Sequence, residues 1–363
     1  MKKRIIYLSS FILIALGVGI FINQAFFKPT EINSFIATKV YSSPANKAFT
    51  DDNFYKCVVD AYNKDHGTKL PYTTNLSDEQ LKTITRLNCD GYKKSDEEKI
   101  KNVDGLEKLT ALTDLNVNEN KLTNLDVSEN TALRELRVQI NGLTNLDVSK
   151  NTALTYLDVY YNQLTNLDVS KNTALKTLVA RDNQLINLDV SKNTALTSLY
   201  VDYNQLINLD VSKNTALTYL DVGANKLTNL DVSKNTALKT LIAIGNQLIN
   251  LDISKNTALT SLDVWKNQLA NLDVSKNTAL IKLRVDDNKL TNLDVSKNTA
   301  LTELLASSNQ LINIDLSGTT SLIKLDVSVN QLTNLDVSGA IALTSLDARN
   351  NQLTNLDVSK NTA

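Results

Sequence analysis

Few residue types in this chain of 363 could carry chemistry, and their spacing limits what that chemistry could be. A single histidine, His66, removes most metal clusters and most Ser–His or Cys–His relays. Two cysteines, Cys57 and Cys89, rule out a disulfide-dense scaffold. They could pair on the exported side of a membrane, but two buried free thiols are the preferred reading. Carboxylates are plentiful and ordered. One aspartate column runs from Asp126 to Asp357 at a constant interval of 21 residues. Such a column could hold metal ions. The preferred reading has each Asp accepting backbone N–H groups of the turn that follows it, in Asx fashion. The adjacent pair Asp286 and Asp287, or Asp158 opposite its neighbours, would be the best support for an enzyme. No nucleophile elbow, phosphate loop or metal-spaced His/Cys set accompanies them. The expectation is no catalysis, no metal and no cofactor.

The elements that must position these residues are set by a repeat. From residue 112 to the last residue, 363, the sequence recurs every 21 positions without insertion or deletion, in twelve copies. One copy carries Leu154, Leu157, Val159, Asn162, Leu164, Leu167, Asp168, Val169 and Ala174. This is L-x-x-L-x-L-x-x-N-x-L, the leucine-rich repeat at the short end of its period range. The segment around Leu157 and Val159 alternates in and out and predicts a strand paired in parallel with its neighbours. The half beginning at Leu167 is too short for a regular helix and predicts a narrow extended or 3-10 return arm. The expected fold is therefore a leucine-rich-repeat solenoid of the horseshoe class, with a parallel β-sheet on the concave face and return arms on the convex side. Seven small apolar positions per coil explain how a chain with only 6% aromatic residues fills its core.

Two further columns are invariant. Asn120 recurs to Asn351, where the chain leaves each strand, and an inward Asn there can satisfy backbone groups of adjacent coils. A second Asn column runs from Asn124 to Asn355. Lys150, Lys171, Lys192 and their equivalents to Lys297 lie three residues after each Asp and offset its charge, so this stripe reads as a solvated face. Lys plus Arg number 38 against 39 acidic residues, which gives no excess to meet phosphates and argues against a nucleic-acid partner.

The variable columns are where a partner would be chosen. After residue 100 the only aromatics are six Tyr and one Trp, all in variable columns: Tyr156, Tyr160, Tyr161, Tyr200, Tyr203, Tyr219 and Trp265. Asp158, Asp202, Asp221 and Asp263 lie among them. Tyr and Trp dominate binding hot spots, so these residues are the candidate ligand-binding face for a protein or glycan at a cell surface. The competing reading is a Tyr ladder that only stiffens the sheet.

Ahead of the repeats, Lys2, Lys3 and Arg4 precede an uncharged run from Ile5 to Ile22. Residues 1–22 read as a signal peptide or an N-terminal membrane anchor, placing the remainder outside the cytoplasm. Residues 23–48 read as a tether. Residues 49–111 read as a small helical cap with a divergent first coil. Its first helix is expected to open at a Thr50 N-cap with Phe49 and Phe54 as staple. Its second is expected to open at a Ser77–Gln80 capping box with Leu76 and Leu81 beside it. The last coil ends open at Ala363, which suggests self-association through that end as an alternative structural role.

The 21-residue unit, the L-D-V-S-x-N-T-A return arm and the helical lid resemble bacterial surface leucine-rich-repeat proteins of the internalin type, closest to the internalin J-like subgroup. The resemblance covers about 49–363. It implies adhesion to a host cell through the concave face. In that subgroup a cysteine ladder fills the third strand position. Here Cys89 fits that position, but the column continues as Val117, Val138, Val159, Ala180 and Val201, so no ladder follows. The sequence also departs from the family in having no immunoglobulin-like module and no L-P-x-T-G signal after the repeats.

Overall fold

The computed structural model describes residues 48–363. The apolar run from Ile5 to Ile22 and the tether before residue 48 lie outside the described residues. Among those described, no helix is long and apolar enough to cross a membrane.

Alternation of side chains dictates the sheet. In Ser198–Tyr200, Leu199 points inward and is fully buried while its neighbours stay half-exposed, and the same inside–outside pattern marks the strands on either side. Thirteen such three-residue strands, from Arg86–Asn88 to Ser345–Asp347, form one parallel sheet. Within the repeats the register is the repeat itself: Leu136 faces Leu157, which faces Leu178, each 21 residues on. At about 4.8 Å per strand, the sheet runs about 58 Å along the array. On the opposite side, Asn292–Asp294 and Asn313–Asp315 make a second two-stranded parallel ladder.

The return arm is a chain of turns. Asn172 N–H donates to Val169 O, and Leu175 N–H donates to Asn172 O, so two consecutive i→i+3 turns carry the chain back to the next strand. One expectation about the core changes here. Six of the seven apolar positions are buried, but Ala174 is only half-buried and the seventh interior place belongs to Asn172, which is fully buried. Asn172 Nδ2 donates to Val148 O and Asn151 O of the preceding coil, both at 2.9 Å. Its equivalents repeat this arrangement from Asn130 to Asn298. The Oδ1 atoms of this column have no hydrogen-bond partner. Carbonyls crowd this turn, so only the amide hydrogens of the side chain find a use.

The cap covers the first coil. Helix α1 spans Asp52–His66 and α2 spans Asp78–Leu81. The N-cap of α1 is Asp51, not Thr50: its carboxylate accepts from Asn53 N–H and Phe54 N–H. The same carboxylate accepts from Lys101 N–H at 2.7 Å, binding the helix start to the segment before the repeats. Thr50 instead donates its hydroxyl to Asn102 Oδ1 at 2.9 Å. Phe49 still packs on Phe54 and Tyr55, with centroids 5.8 and 4.9 Å apart. The Ser77–Gln80 capping box forms as the sequence predicts. The cysteines correct a second expectation. Cys57 of α1 and Cys89, at the end of the first strand, form a disulfide with Cα atoms 5.6 Å apart. They are 32 residues apart in sequence, and only the docking of α1 on the first strand brings them together.

Candidate binding surface

Three residues beyond each strand of the main sheet from Asp114–Asn116 to Ser345–Asp347 one residue lies in the left-handed region, and this bend turns the following Asn inward. In the coil of Tyr156 that residue is Tyr161, with φ 53°. Asn162 Nδ2 then donates to Val138 O, Val159 O and Tyr160 O, while its Oδ1 accepts from Leu143 N–H of the preceding coil. The Asn column is thus a ladder joining neighbouring coils. The aspartate column behaves as the Asx reading predicts: Asp168 Oδ1 accepts from Ser170 N–H at 2.8 Å. That backbone N–H, then the Ser170 hydroxyl, holds the carboxyl below its usual range. Lys171 and Lys192 are exposed on this side. Among the described residues no cluster of His, Cys, Asp and Glu could hold a metal ion.

The scaffold leaves the outward strand positions free, and there the aromatics are held by cations and by one another. Arg137 lies 4.7 Å over Tyr156, Arg181 5.3 Å over Tyr160, and Arg284 4.5 Å over Trp265. Tyr200 and Tyr219, diagonal neighbours on adjacent strands, stack at 4.6 Å. Asp158, Asp202, Asp221 and Asp263 sit between the rings. Burial raises the pKa of each above the usual carboxylate value, with Asp202 reaching about 6. For Asp202 the neighbouring Asp221 adds to the effect of burial, and Arg181 opposes it. Asp286 and Asp287 do not act as a pair. Asp286 binds Arg284 at 3.0 Å and accepts from Ser307, whereas Asp287 is exposed in the left-handed turn.

Two of the candidate residues lie elsewhere. Tyr161 and Tyr203 are not on the strands but in the left-handed turn beyond them, 58% and 53% exposed. With Asp182, the turn residue of the coil between them, they line an open depression of about 510 Å³ at the strand-end rim. Of the twelve residues in this turn column, from Glu119 to Asn350, only Gly245 is a glycine. A left-handed non-glycine residue costs on the order of 1–2 kcal/mol, so the rim keeps its side chains at some cost. The column pattern alone groups Tyr161 and Tyr203 with the sheet face. The signal that separates them is their place immediately before the ladder Asn. Arg137, Arg181 and Arg284 share the variable columns with the aromatics, and only the ring contacts mark them as part of the surface.

The arrangement has known counterparts. The functional domain of InlJ from Listeria monocytogenes, described as including a cysteine ladder, superposes with a TM-score of 0.78 at 39% identity over 88% of this chain and 74% of that one. This chain belongs to the internalin family. In sequence, this internalin is 40% identical over 86 residues to Internalin J of Listeria monocytogenes serotype 4b (strain F2365), a stretch that is 24% of this chain and 8% of that protein. The aligned stretch thus spans under a tenth of the curated relative. An internalin, InlF, of Listeria monocytogenes strain 4b F2365 shares the fold with a TM-score of 0.66 at 24% identity, over 84% of this chain and 97% of that one. No family model matches the sequence. The InlJ domain is described as including a cysteine ladder; in this internalin the column that begins at Cys89, itself bonded to Cys57, continues in Val and Ala.

Proposed function

We propose that this internalin is a non-enzymatic recognition protein, displayed outside a bacterial cell, whose outward sheet face binds a protein partner. In this reading residues 1–22 export or anchor the chain, 23–48 tether it, 49–111 cap the array and 112–363 present twelve repeats. The observation that carries it is the interlocked stripe of Tyr156, Tyr160, Tyr200, Tyr219 and Trp265 on positions the scaffold does not dictate. Rings already held by Arg137, Arg181, Arg284 and one another lose little side-chain freedom when a partner arrives. A ladder that merely stiffened the sheet would have no need to keep to the outward positions of a few coils.

Host surface proteins captured by the full chain provide the partner for the test. Replacing Tyr160, Tyr200 and Tyr219 together by Ala should cost more than about 2 kcal/mol of affinity, with circular dichroism unchanged. The control Lys171→Ala with Lys192→Ala, on the return-arm side, should bind as the parent does. Equal losses in both, or loss in the lysine variant alone, would refute the assignment to the sheet face.

A further inference from the structure

The strand-end rim carries a second feature beside the sheet face, which it adjoins where the Tyr161 ring meets Tyr160 edge-on, with centroids 5.9 Å apart. Tyr161 and Tyr203 stand two coils apart, about 10 Å at the strand spacing, with Asp182 of the intervening coil between them. Gln163 and Gln184 line the same depression. The ladder asparagines behind it are fully engaged, each Nδ2 on carbonyls and each Oδ1 on a leucine N–H. The two glutamine amides are different: neither is hydrogen-bonded to another described side chain. The next glutamine in their column, Gln205, is held by Lys226 at 3.1 Å. The depression therefore offers two exposed aromatic faces, one carboxylate and two unspent carboxamides.

We propose that this rim is a saccharide-binding site, distinct from the sheet face. A pyranose has apolar C–H faces that pack on aromatic rings and a girdle of hydroxyls that both donate and accept. Tyr161 and Tyr203 supply the ring faces at an interval close to the length of a disaccharide. Asp182 accepts from hydroxyls, and the carboxamides of Gln163 and Gln184 both donate and accept. The competing occupant for two tyrosines around a carboxylate is a cation. The Arg181 guanidinium, 3.7 Å from the Asp182 carboxylate and 3.0 Å from that of Asp202, already holds the place beside Asp182 that a cation would take. A neutral, hydroxylated ligand fits what remains.

The test applies the full exported chain to an array of neutral oligosaccharides, with a lysine-rich peptide printed beside them. The expected result is binding to one or more neutral glycans, lost at least tenfold in Tyr161→Ala with Tyr203→Ala and in Asp182→Ala. The rim tyrosines face solvent, so the melting temperature should hold. Tyr200→Ala with Tyr219→Ala should leave glycan binding unchanged, which separates failure here from failure of the sheet-face reading. No glycan bound, glycan binding equal in parent and rim variants, or capture of the basic peptide alone would each overturn the proposal.

Discussion

Arg181 reaches across one coil to Asp202, its Nη2 3.0 Å from Oδ2, while the same guanidinium lies over the Tyr160 ring. The carboxylate end of this pair is almost fully buried and its Oδ1 has no partner. One cation therefore serves a ring and two carboxylates, Asp182 lying 3.7 Å from it, and fails to offset the burial of Asp202, whose pKa is pushed up to about 6.

This has a consequence for stability against pH. The folded pKa of Asp202 is raised above the ordinary aspartate value of 3.8, so the protonated form is the one the fold favours. Its favourable contribution is present in full below about pH 4 and is lost as pH rises through about 6. The neutral variant Asp202→Asn should melt above the parent at about pH 7, and the advantage should vanish towards about pH 4. Melting curves across that range check it, together with the carboxyl carbon shift of Asp202. A titration midpoint near 4 would refute it.

The two buried asparagine columns should respond differently. Removing Asn204 frees the buried N–H of Leu185 and three carbonyl contacts, so Asn204→Ala should cost roughly 1–3 kcal/mol. Asn214 donates only to Val190 O and Asn193 O, which keep backbone donors from Asn193 N–H and Leu196 N–H. The chain already places Thr319 and Ala340 in that column, both fully buried. Asn214→Ala should therefore cost less than Asn204→Ala in urea titration. The reverse order would place the weight of the coil junction on the return arm.

The disulfide should be measurable as cap stability. Cys57 and Cys89 close a loop with a sequence separation of 32, and loss of such a link lowers stability by about 2–4 kcal/mol. Cys57→Ser with Cys89→Ser, or reductant, should lower the cap transition by that amount. An identical melt with and without reductant would mean the thiols do not pair in solution.

Removing residues 49–111 should make the repeats insoluble. The cap covers Leu112, Leu115 and Val117, all fully buried, and each exposed leucine costs on the order of 1.5–3 kcal/mol. A soluble fragment 112–363 with a cooperative melt would show that the array needs no cover at that end.

The period alone determined most of this molecule. A 21-residue interval with Leu154, Leu157 and Val159 in fixed phase admits one strand per coil, because no coil can bury its leucines except against the next. The roles of the Asn162 and Asp168 columns followed from the same phase, since each lies where the backbone must turn and its groups need local partners. Tertiary structure decided what depends on neighbours in space. Asn172, a polar residue of the return arm, became an interior position only because stacking closed around it and left carbonyls to meet. Cys57 and Cys89 paired because α1 docks on the first strand, a contact across 32 residues that no local pattern encodes. Tyr161 and Tyr203 left the sheet face for the rim because a left-handed turn, visible only in the backbone angles, redirects the chain one residue before the ladder Asn.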